Sequence, residues 1–507
     1  MAQKSPQARA ETDHELVVKD FGGVNTQASR TAIAEEEFAW LENLMPIGHG
    51  SAKAVPYQGA AVQTFGGTAI TQMQYVNLSN TDYLLCFTSG GGGIGVNLFN
   101  YTYTVFAADG TFTGLISAAQ WKNDRALIVA SNGYWSWDGI GFVSVSGSGL
   151  PAGGSTIATF SGRVWISIGR TVVFSAPGSY TDFTTASSGG SFIVTDETLI
   201  SNITQMVTAN SYLYIFGDSS INVISNVTVG TGTPAPTLFS NTNIAAQVGT
   251  LYPYSVFPYN RTICFATPYG FQALYGTTTQ KISDKLDGIY QFIDFTKPVS
   301  GCVVYIFNIA CMCFLFTYND PAGPRPIMAI FFNKKWFFAS QGSNLTVVAS
   351  GFKGGVPYAY ATDGHRLWKV FSDTASNIST KAITALWGLG YPTKMKEVQK
   401  AGVEITTAAI QTNITLALDT DFASIATTVS LGNYGYWVNN GGVQGQWINN
   451  FGVQGQWVGS QFQIYQGDAE AKGRYLGYTL TSTAPGFELN GFLMQYQVST
   501  PWAVKAT

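Results

Sequence analysis

The chain has 507 residues and a net charge of −3, with 26 Lys and Arg residues against 29 Asp and Glu residues. Charged residues make up only 11% of it, against about 25% in ordinary soluble proteins. Tight binding of nucleic acid over a large surface requires many cations against phosphate, so this composition excludes it. With 46% hydrophobic and 14% aromatic residues, the composition is typical of subunits with permanent interfaces. A monomer with a neutral polar surface is the alternative.

The N-terminal part of the chain is predicted to contain an arm and a strap. Residues 1–19 are polar, without the apolar core of a secretory signal, and are predicted to form a flexible arm. Residues 20–59 are predicted to form a strap with the one convincing helix, a short N-terminal one. Phe38 and Leu41 fall on one face of that helix, and Pro46 ends it.

The central part, residues 60–375, repeats a short apolar strand, a tight turn rich in Gly, Asn or Asp, and a second strand. Successive clear copies mostly start roughly 35 to 50 residues apart, which is the period of propeller blades. One hairpin cannot bury its own apolar face, but a closed ring of them can. We therefore predict an all-β fold with a β-propeller of about six or seven blades. The clearest copies are residues 125–139, 162–178, 211–225, 261–276 and 356–371.

The last part, residues 376–507, is predicted to be a C-terminal antiparallel β domain. It contains an insert rich in Trp, Gly and Gln, residues 436–458, in which Trp437, Trp447 and Trp457 recur. Regularly spaced Trp side chains are costly to expose to water, which supports a contact surface for another copy or component, whereas low complexity can arise without a role, so neither interpretation is favoured. A surface loop without a partner is the other interpretation.

No catalytic, cofactor-binding or metal site is predicted. His14, His49 and His365 lie far apart in the sequence, and the chain has no HExxH, GxSxG or Walker motif. We therefore expect a protein that is not an enzyme and has no cofactor. The chain also has no segment long and apolar enough to span a membrane.

Three further patterns have simple structural interpretations. The Gly-rich run 89–95 lacks the Lys-Ser/Thr of a phosphate loop and is predicted to be a flexible turn. Asp419 and Asp421 point the same way at a strand end and could contact a cation, without the ligands of a calcium loop. Five cysteines without a CxxC pair are predicted to be buried free thiols of a chain folded in a reducing cytosol: Cys86, Cys264, Cys302, Cys311 and Cys313.

A propeller glycosidase is a less favoured alternative, since it would need arginines and acids that meet at the propeller centre. Asp tolerates turn conformations, and a turn role explains the acids more simply. The repeated Asp box of sialidases is absent. The acids and arginines in question are Asp138, Asp182, Asp218, Asp284, Asp287, Asp363, Arg163, Arg170, Arg261 and Arg366.

A series of sequence segments resembles the tail nozzle or hub proteins of short-tailed bacteriophages, which include the tubular nozzle and packaged-DNA stabilisation proteins. Each segment is short, and the resemblance rests on the order in which the segments occur between residues 20 and 288. The insert 436–458 matches nothing in that pattern. The matching sequence segments are DFGGVNT at 20–26, IAEE at 33–36, LEN at 41–43, VPYQG at 55–59, FSAPG at 174–178, YTDF at 180–183, YIFGDSS at 214–220, FATPYG at 265–270 and QKISDKLDG at 280–288.

The resemblance implies a structural virion protein, made in the host cytoplasm. Proteins of this family are β-propeller subunits of a hexameric ring that retains and then releases phage DNA. The implied partners are copies of the chain itself, portal or adaptor, other tail or fibre proteins, and exiting DNA in transient contact without sequence specificity. The candidate contact residues are Phe21, Asn25, Trp40, Leu44, Trp437, Trp447 and Trp457. A receptor- or glycan-binding tail-tip module is the alternative, because Trp rings can stack on sugars.

Overall fold

The computed structural model describes residues 13–48, 50–407, 411–432 and 462–498, and the backbone of the pairs 437–438, 444–445, 447–448 and 454–455. The chain forms two compact units. The first comprises Met1–Tyr57, Asn333–Ser340 and Asp373–Thr507, and the second comprises Gln58–Phe332 and Gln341–Ser372. The segment 333–340, which the sequence places inside the propeller, therefore belongs to the first unit. In the described part of the chain, no helix is long and apolar enough to cross a membrane.

The second unit is a β-propeller of seven blades, numbered here along the chain. Each blade is an antiparallel sheet, and its strands are given from the centre outward. Blade 1 consists of Ile70–Leu78, Thr81–Thr88, Gly93–Asn97 and Tyr103–Ala107, and blade 2 of Ser117–Trp121, Arg125–Ala130, Gly133–Trp137 and Phe142–Ser144. Blade 3 consists of Thr156–Phe160, Arg163–Ile168, Thr171–Phe174 and Gly190–Ile193, and blade 4 of Gln205–Ala209, Tyr212–Phe216, Ser220–Val229 and Thr237–Ala246.

Blades 5 to 7 complete the propeller, and blade 6 contributes three strands to this unit. The all-β propeller expected from the repeated hairpins is thus confirmed, and the number of blades is seven. Blade 5 consists of Phe257–Tyr259, Thr262–Thr267, Gly270–Tyr275 and Thr278–Lys281. Blade 6 has Ser300–Ile306, Ile309–Asp320 and Gly323–Phe332 in this unit, and blade 7 consists of Val347–Lys353, Val356–Thr362, Arg366–Val370 and Ala61–Thr64.

Blade 7 closes the ring with a strand from the other end of the unit. Its outer strand, Ala61–Thr64, precedes blade 1 in the chain and pairs antiparallel with Arg366–Val370. Thr64 lies opposite Arg366, and Ala61 lies opposite Trp368. The two ends of the propeller are therefore joined by backbone hydrogen bonds.

Large aromatic side chains fill the space between neighbouring blades. Trp137 is fully buried among residues of blades 1 and 2, and its ring stacks on Phe106 with 4.9 Å between centroids. Trp165 is buried in the same way among residues of blades 3 and 4. Because each core is shared by two blades, a blade is stable only beside its neighbours. Replacement of such a Trp by Ala typically costs about 3–5 kcal/mol.

The predicted N-terminal helix is not present. Residues 38–42 instead form the strand Phe38–Glu42, and Leu44–Ile47 forms another. Phe38–Glu42 is buried on both sides, so its apolar residues lack the strict alternation that would have distinguished it from a helix. Pro46 is accommodated because Leu44–Ile47 is at the edge of its sheet. Within the described residues, the one α-helix is Asp287–Tyr290, and the 3-10 turns are Thr185–Ser187, Pro253–Ser255 and Asp284–Leu286.

Among its described residues, the first unit contains two main antiparallel sheets, and Phe38–Glu42 pairs in parallel with Lys335–Ala339. N-terminal and C-terminal residues form these sheets together. In spatial order, the strands of the first sheet are Leu44–Ile47, Ser51–Ala54, Glu488–Val498, Lys396–Thr406 and Phe462–Gly473, and Asp13–Val18 also pairs with Glu488–Val498. The strands of the second, in spatial order, are Lys335–Ala339, Phe38–Glu42, Thr380–Thr384, Leu476–Ser482, Gln411–Thr420 and Ser424–Gly432. Two short pairs join Trp437–Val438 to Gln444–Gly445 and Trp447–Ile448 to Gln454–Gly455.

The expectation of a flexible arm over residues 1–19 is wrong for residues 13–18. Asp13–Val18 is a strand that pairs antiparallel with Glu488–Val498 over six residues. Its exposed and half-buried residues alternate along the strand. The charged residues Asp13 and Glu15 thus lie on the exposed side of a paired strand.

Asn43 separates the first two strands of the strap and fixes the turn between them. Its φ of 57° is left-handed, a conformation that Asn tolerates better than most residues. Its side-chain Nδ2 donates to the Ser379 carbonyl at 2.7 Å, and its Oδ1 accepts from the Ser340 amide at 2.9 Å. This buried residue thereby joins three chain segments of the first unit.

Candidate functional site

The first strands of the seven blades line a central cavity of about 410 Å³ that is open to solvent. Every blade contributes to its lining, blade 5 partly through the 3-10 turn Pro253–Ser255 that precedes it. The volume is within the range of about 300–1,000 Å³ that is usual for small-molecule sites. One lining residue from each blade, in order, is Gln72, Ser117, Ile157, Gln205, Tyr254, Ser300 and Val348.

The cavity lining carries no Asp, Glu, Lys, Arg or His. Its polar groups are three Gln amides, three Ser hydroxyls and the phenols of Tyr75 and Tyr254. Burial raises the pKa of Tyr254 to about 12, so this phenol keeps its proton at neutral pH. The lining therefore offers hydrogen bonds and apolar contact but no charge to attract an ion or a phosphate.

Hydroxyl groups join the first strands of neighbouring blades. The Ser117 hydroxyl accepts from the Ile157 amide at 3.2 Å, and the Ser300 hydroxyl accepts from the Val348 amide at 3.2 Å. Each hydroxyl belongs to the first residue of its strand, and each amide belongs to the second residue of the next blade's first strand. These bonds add directional contacts to the apolar packing between blades, each worth about 1 kcal/mol net.

Thr156 makes the same connection between blades 3 and 4. Its hydroxyl accepts from the Met206 amide at 3.1 Å and donates to Oε1 of Gln205 at 2.6 Å. The Nε2 of Gln205 then reaches the Pro253 carbonyl at 3.3 Å. A continuous series of hydrogen bonds therefore runs from blade 3 to the turn before blade 5.

The two glutamines of blade 1 differ in their partners. The Nε2 of Gln74 donates to the Ala118 carbonyl of blade 2 at 2.7 Å. Gln72 is 7% exposed, and its Oε1 has no hydrogen-bond partner among the described residues. A β-bulge lies directly before Gln72, since Ile70 pairs with Thr88 and Gln72 pairs with Phe87. Among the fully buried side-chain N and O atoms of the described lining, Oε1 of Gln72 is therefore the one without a partner.

The predicted contact residues of the strap are in the first unit and differ in exposure. Phe21 and Leu44 are in its interior, where Phe21 packs against Phe38 and Phe492. Asn25 is half-buried and donates to the Glu37 carboxylate at 2.6 Å. Trp40 is half-buried, with its ring 4.5 Å from that of Phe338. Asn25 and Trp40 are thus the members of this group that reach the surface of the unit.

The other predicted contact residues belong to the insert 436–458. Trp457 is outside the described residues. Trp437 and Trp447 are described by their backbones alone, which pair with Gly445 and Gly455 respectively. The contact role of these three residues stays a prediction.

The acids and arginines considered for a glycosidase do not meet at the propeller centre, because none of them lines the cavity. Arg163 is buried in blade 3, where it donates to the carbonyls of Ser175 and Ser188. Asp363 caps its own turn by accepting from the His365 amide and pairs with Arg366. These residues hold turns and blades together.

The carboxylates considered for a cation are bound to arginines. Asp419 forms an ion pair with Arg30 at 2.6 Å, and Asp421 forms one with Arg474 at 2.9 Å. In the part of the chain that the structure describes, no group of three or more His, Cys, Asp or Glu side chains could hold a metal ion.

All five cysteines are free and buried, which confirms the prediction from their apolar surroundings. Burial raises the pKa of Cys264 and Cys311 to about 12. A thiol that stays protonated is a poor nucleophile and a poor metal ligand. The cysteines therefore act as small apolar residues in the blades.

The sequence contained a signal for the cavity that the hairpin pattern did not use. A polar residue opens the first strand of blades 2, 3, 4 and 6. Such residues recur at about the spacing of the blades. Their side chains make hydrogen bonds between the first strands of neighbouring blades. The residues concerned are Ser117, Thr156, Gln205 and Ser300.

The fold and its cavity define a seven-bladed β-propeller joined to a two-sheet β unit. No family model matches the chain, and no curated protein matches it. Solved structures do match. The β-propeller domain of Cps50 (Swd1) from Myceliophteria thermophila is 12% identical with a TM-score of 0.38, covering 61% of this chain and 99% of that one. The RRP9 WD40 repeats are 8% identical with a TM-score of 0.37, covering 63% and 97%.

A third similar structure is the extracellular domain of the putative hybrid two component system BT4673 from B. thetaiotaomicron. It is 12% identical with a TM-score of 0.33, and the match covers 72% of this chain and 52% of that one.

Proposed function

We propose that this chain is a structural virion protein, a tail nozzle or hub subunit. Copies of it would form a ring-shaped channel that retains phage DNA and then releases it. The observation that carries the proposal is a band of exposed apolar side chains on the outer strands of blades 1 to 4. The resemblance of residues 20–288 to nozzle and hub proteins supplies the kind of assembly.

This band, the apolar rim, consists of Tyr103 and Val105 of blade 1, Val143 of blade 2, Ile193 of blade 3 and Leu238 of blade 4. All five side chains are exposed, and each strand is the last of its sheet, with one backbone edge unpaired within that sheet. Exposed edge strands with apolar side chains are sites of association unless something covers them.

The outer strands of blades 5 and 7 differ from these in their chemistry. The exposed residues of Thr278–Lys281 in blade 5 are Thr278 and Gln280, and those of Ala61–Thr64 in blade 7 are Ala61 and Thr64. The apolar rim thus occurs on four consecutive blades and is absent from the outer strands of blades 5 and 7. Apolar side chains on part of the circumference support contact with a different surface of the next subunit, which generates a ring when the rotation closes.

The low charge of the chain supports a conduit for DNA. A wall with few Lys and Arg side chains makes few phosphate contacts, so DNA passes without the strong, salt-dependent binding that such contacts produce. The hexamer is taken from the resemblance, as are the portal or adaptor and fibre partners. Asn25 and Trp40, half-buried on the first unit, are the strap residues that remain candidates for those contacts.

The test is to alter the apolar rim without disturbing the cores. A variant with Val143→Asp and Ile193→Asp places two charges on exposed positions of neighbouring outer strands. Sedimentation velocity should show the unaltered protein as a closed oligomer and this variant as a monomer with unchanged thermal unfolding. The matched control is Thr278→Asp with Gln280→Asp on the polar outer strand of blade 5, which should assemble normally.

Two results would contradict the proposal. One is a chain that stays monomeric both alone and in the presence of portal and adaptor. The other is a rim variant that still forms rings, which would place the subunit contact elsewhere. Electron microscopy of the purified oligomer then gives the number of subunits directly.

A further inference from the structure

The central cavity of the propeller contains a polar side chain that the fold itself does not use. The Gln72 side chain is more than nine-tenths buried and lines the cavity, and its Oε1 has no partner among the described residues. A buried amide without a partner is costly, typically about 1–3 kcal/mol. Such a group calls for a partner that the chain itself does not supply, and a bound molecule or an ordered water can provide one.

The backbone around Gln72 is also irregular. Thr71 is the extra residue of a β-bulge in the first strand of blade 1, and Gln72 follows it. Bulges are frequent next to binding sites because they change the direction in which the following side chains point. Gln74, two residues further on, makes the regular contact with the next blade.

The rest of the lining indicates what kind of molecule fits. Aromatic rings and hydroxyl or amide groups are present together, and charged groups are absent. Tyr75 and Phe352 form one aromatic wall, with 5.3 Å between ring centroids. Ser350 also lines the cavity and is half-buried. Aromatic faces beside neutral hydrogen-bonding groups suit a molecule with apolar C–H faces and several hydroxyls.

We propose that the central cavity binds a neutral saccharide. The Gln72 side chain would turn so that its shielded amide bonds to a sugar hydroxyl, and the Tyr75 and Phe352 rings would contact a C–H face of the sugar. A cavity of about 410 Å³ admits a small sugar or the end of a glycan chain. The cavity belongs to one propeller, so this binding goes beyond the proposed ring and does not require it.

The test uses the full-length protein and defined sugars. Saturation-transfer NMR and calorimetry are carried out with glucose, galactose, N-acetylglucosamine and maltose, and with the charged analogues glucosamine and glucuronic acid. At least one neutral sugar should bind saturably. Charged analogues should bind at least about tenfold more weakly, because an uncharged cavity cannot compensate for the loss of their hydration.

Two variants assign the binding to the cavity. Gln72→Leu removes the amide at similar size and should weaken binding by about tenfold, the effect of one lost buried hydrogen bond. Gln280→Leu, at an exposed position on the outer strand of blade 5, is the matched control and should bind normally. If Gln72→Leu does not fold, Ser350→Ala tests the same cavity with a smaller change and should also weaken binding.

Two outcomes would overturn the proposal. One is the absence of saturable binding by any neutral sugar at millimolar concentration, in which case the cavity holds water alone. The other is binding that neither Gln72→Leu nor Ser350→Ala changes, which would place the sugar elsewhere on the protein. Sedimentation velocity tests ring assembly, whereas the sugar titrations test binding in the cavity. A negative result in one of these experiments therefore does not affect the conclusion from the other.

Discussion

Arg30 and Asp419 lie 389 residues apart in the chain and are joined by an ion pair of 2.6 Å. Both belong to the first unit. Arg30 also donates to the Thr384 carbonyl at 2.6 Å, and Asp419 also accepts from the hydroxyls of Ser424 and Thr479. The loop before the first strap strand is thereby fixed to the second sheet of that unit.

Replacing Arg30 by Met should destabilise the first unit by about 3 kcal/mol, because the nearly buried Asp419 carboxylate would lose its counterion. The control is Lys472→Met, which removes the partner of Glu397 from an ion pair exposed on the surface of the same unit. That change should cost less than about 1 kcal/mol. Urea unfolding followed by circular dichroism measures both. Equal changes in unfolding free energy for the two substitutions would contradict a larger contribution of the Arg30 ion pair to stability.

Lys396 provides a prediction about pH. It is fully buried in the first unit, and its Nζ donates to the carbonyls of Tyr391 and Arg474. Burial lowers the pKa of Lys396 to about 8, whereas the pKa of a lysine in an unfolded chain is about 10.4. Between these values the unfolded state binds more protons than the folded state, so this residue makes stability rise with pH.

A Lys396→Met variant should lack this contribution. Between pH 8 and pH 10 the unaltered protein should gain about 2 kcal/mol relative to the variant, whatever the variant's stability at neutral pH. The comparison is needed because buried cysteines and tyrosines act in the opposite direction: their folded pKa values are raised, so stability falls once their unfolded forms ionise. Parallel stability curves for the two proteins over this range would contradict the assignment.

The hydroxyl of Thr156 should contribute to propeller stability beyond its size. Thr156→Val keeps the shape but removes the acceptor of the Met206 amide and the donor to Gln205. We expect a loss of about 1–3 kcal/mol in the unfolding free energy of the propeller. Thr278→Val, at an exposed position of an outer strand, should change it by less than about 0.5 kcal/mol. Thermal unfolding of the two variants makes the comparison, and similar midpoints would argue against a role for these inter-blade bonds.

The hairpins were predictable because they are the best-buried pairs of strands. Each of the five clear copies corresponds to the second and third strands of a blade, in blades 2, 3, 4, 5 and 7. These middle strands have a neighbour on both sides, so their apolar residues are dense and their turns are tight. The inner and outer strands are shorter or more polar, and the number of blades could not be read from them.

The prediction of a flexible turn over the Gly-rich run 89–95 is wrong for its last three residues, and the reason is packing. Residues 89–92 lie in the turn between two strands of blade 1, whereas residues 93–95 begin the strand Gly93–Asn97. A β-carbon at Gly93 would overlap the ring of Phe106, and one at Gly95 would overlap that of Trp137. Glycine here makes room for two stacked aromatic rings contributed by other strands. Only the folded arrangement reveals that need, because neither ring is adjacent to the run in the chain.

The candidate site was harder to predict than the fold. The cavity draws residues from all seven blades, and its polar members are Gln, Ser and Tyr residues without a local motif. The strap was also misjudged, since pairing with Thr380–Thr384, more than three hundred residues away, determines that residues 38–42 form a strand. Both depend on contacts that sequence spacing does not encode.

The pairing of Ala61–Thr64 with Arg366–Val370 also governs how the molecule is made. Synthesis proceeds from the N-terminus at about 5–20 residues per second, so the first of these strands precedes its partner by roughly 15 to 60 seconds. During that interval the nascent propeller is an open series of blades with an unpaired strand at its beginning. Ribosomal release of residue 370 is the earliest moment at which the ring can close.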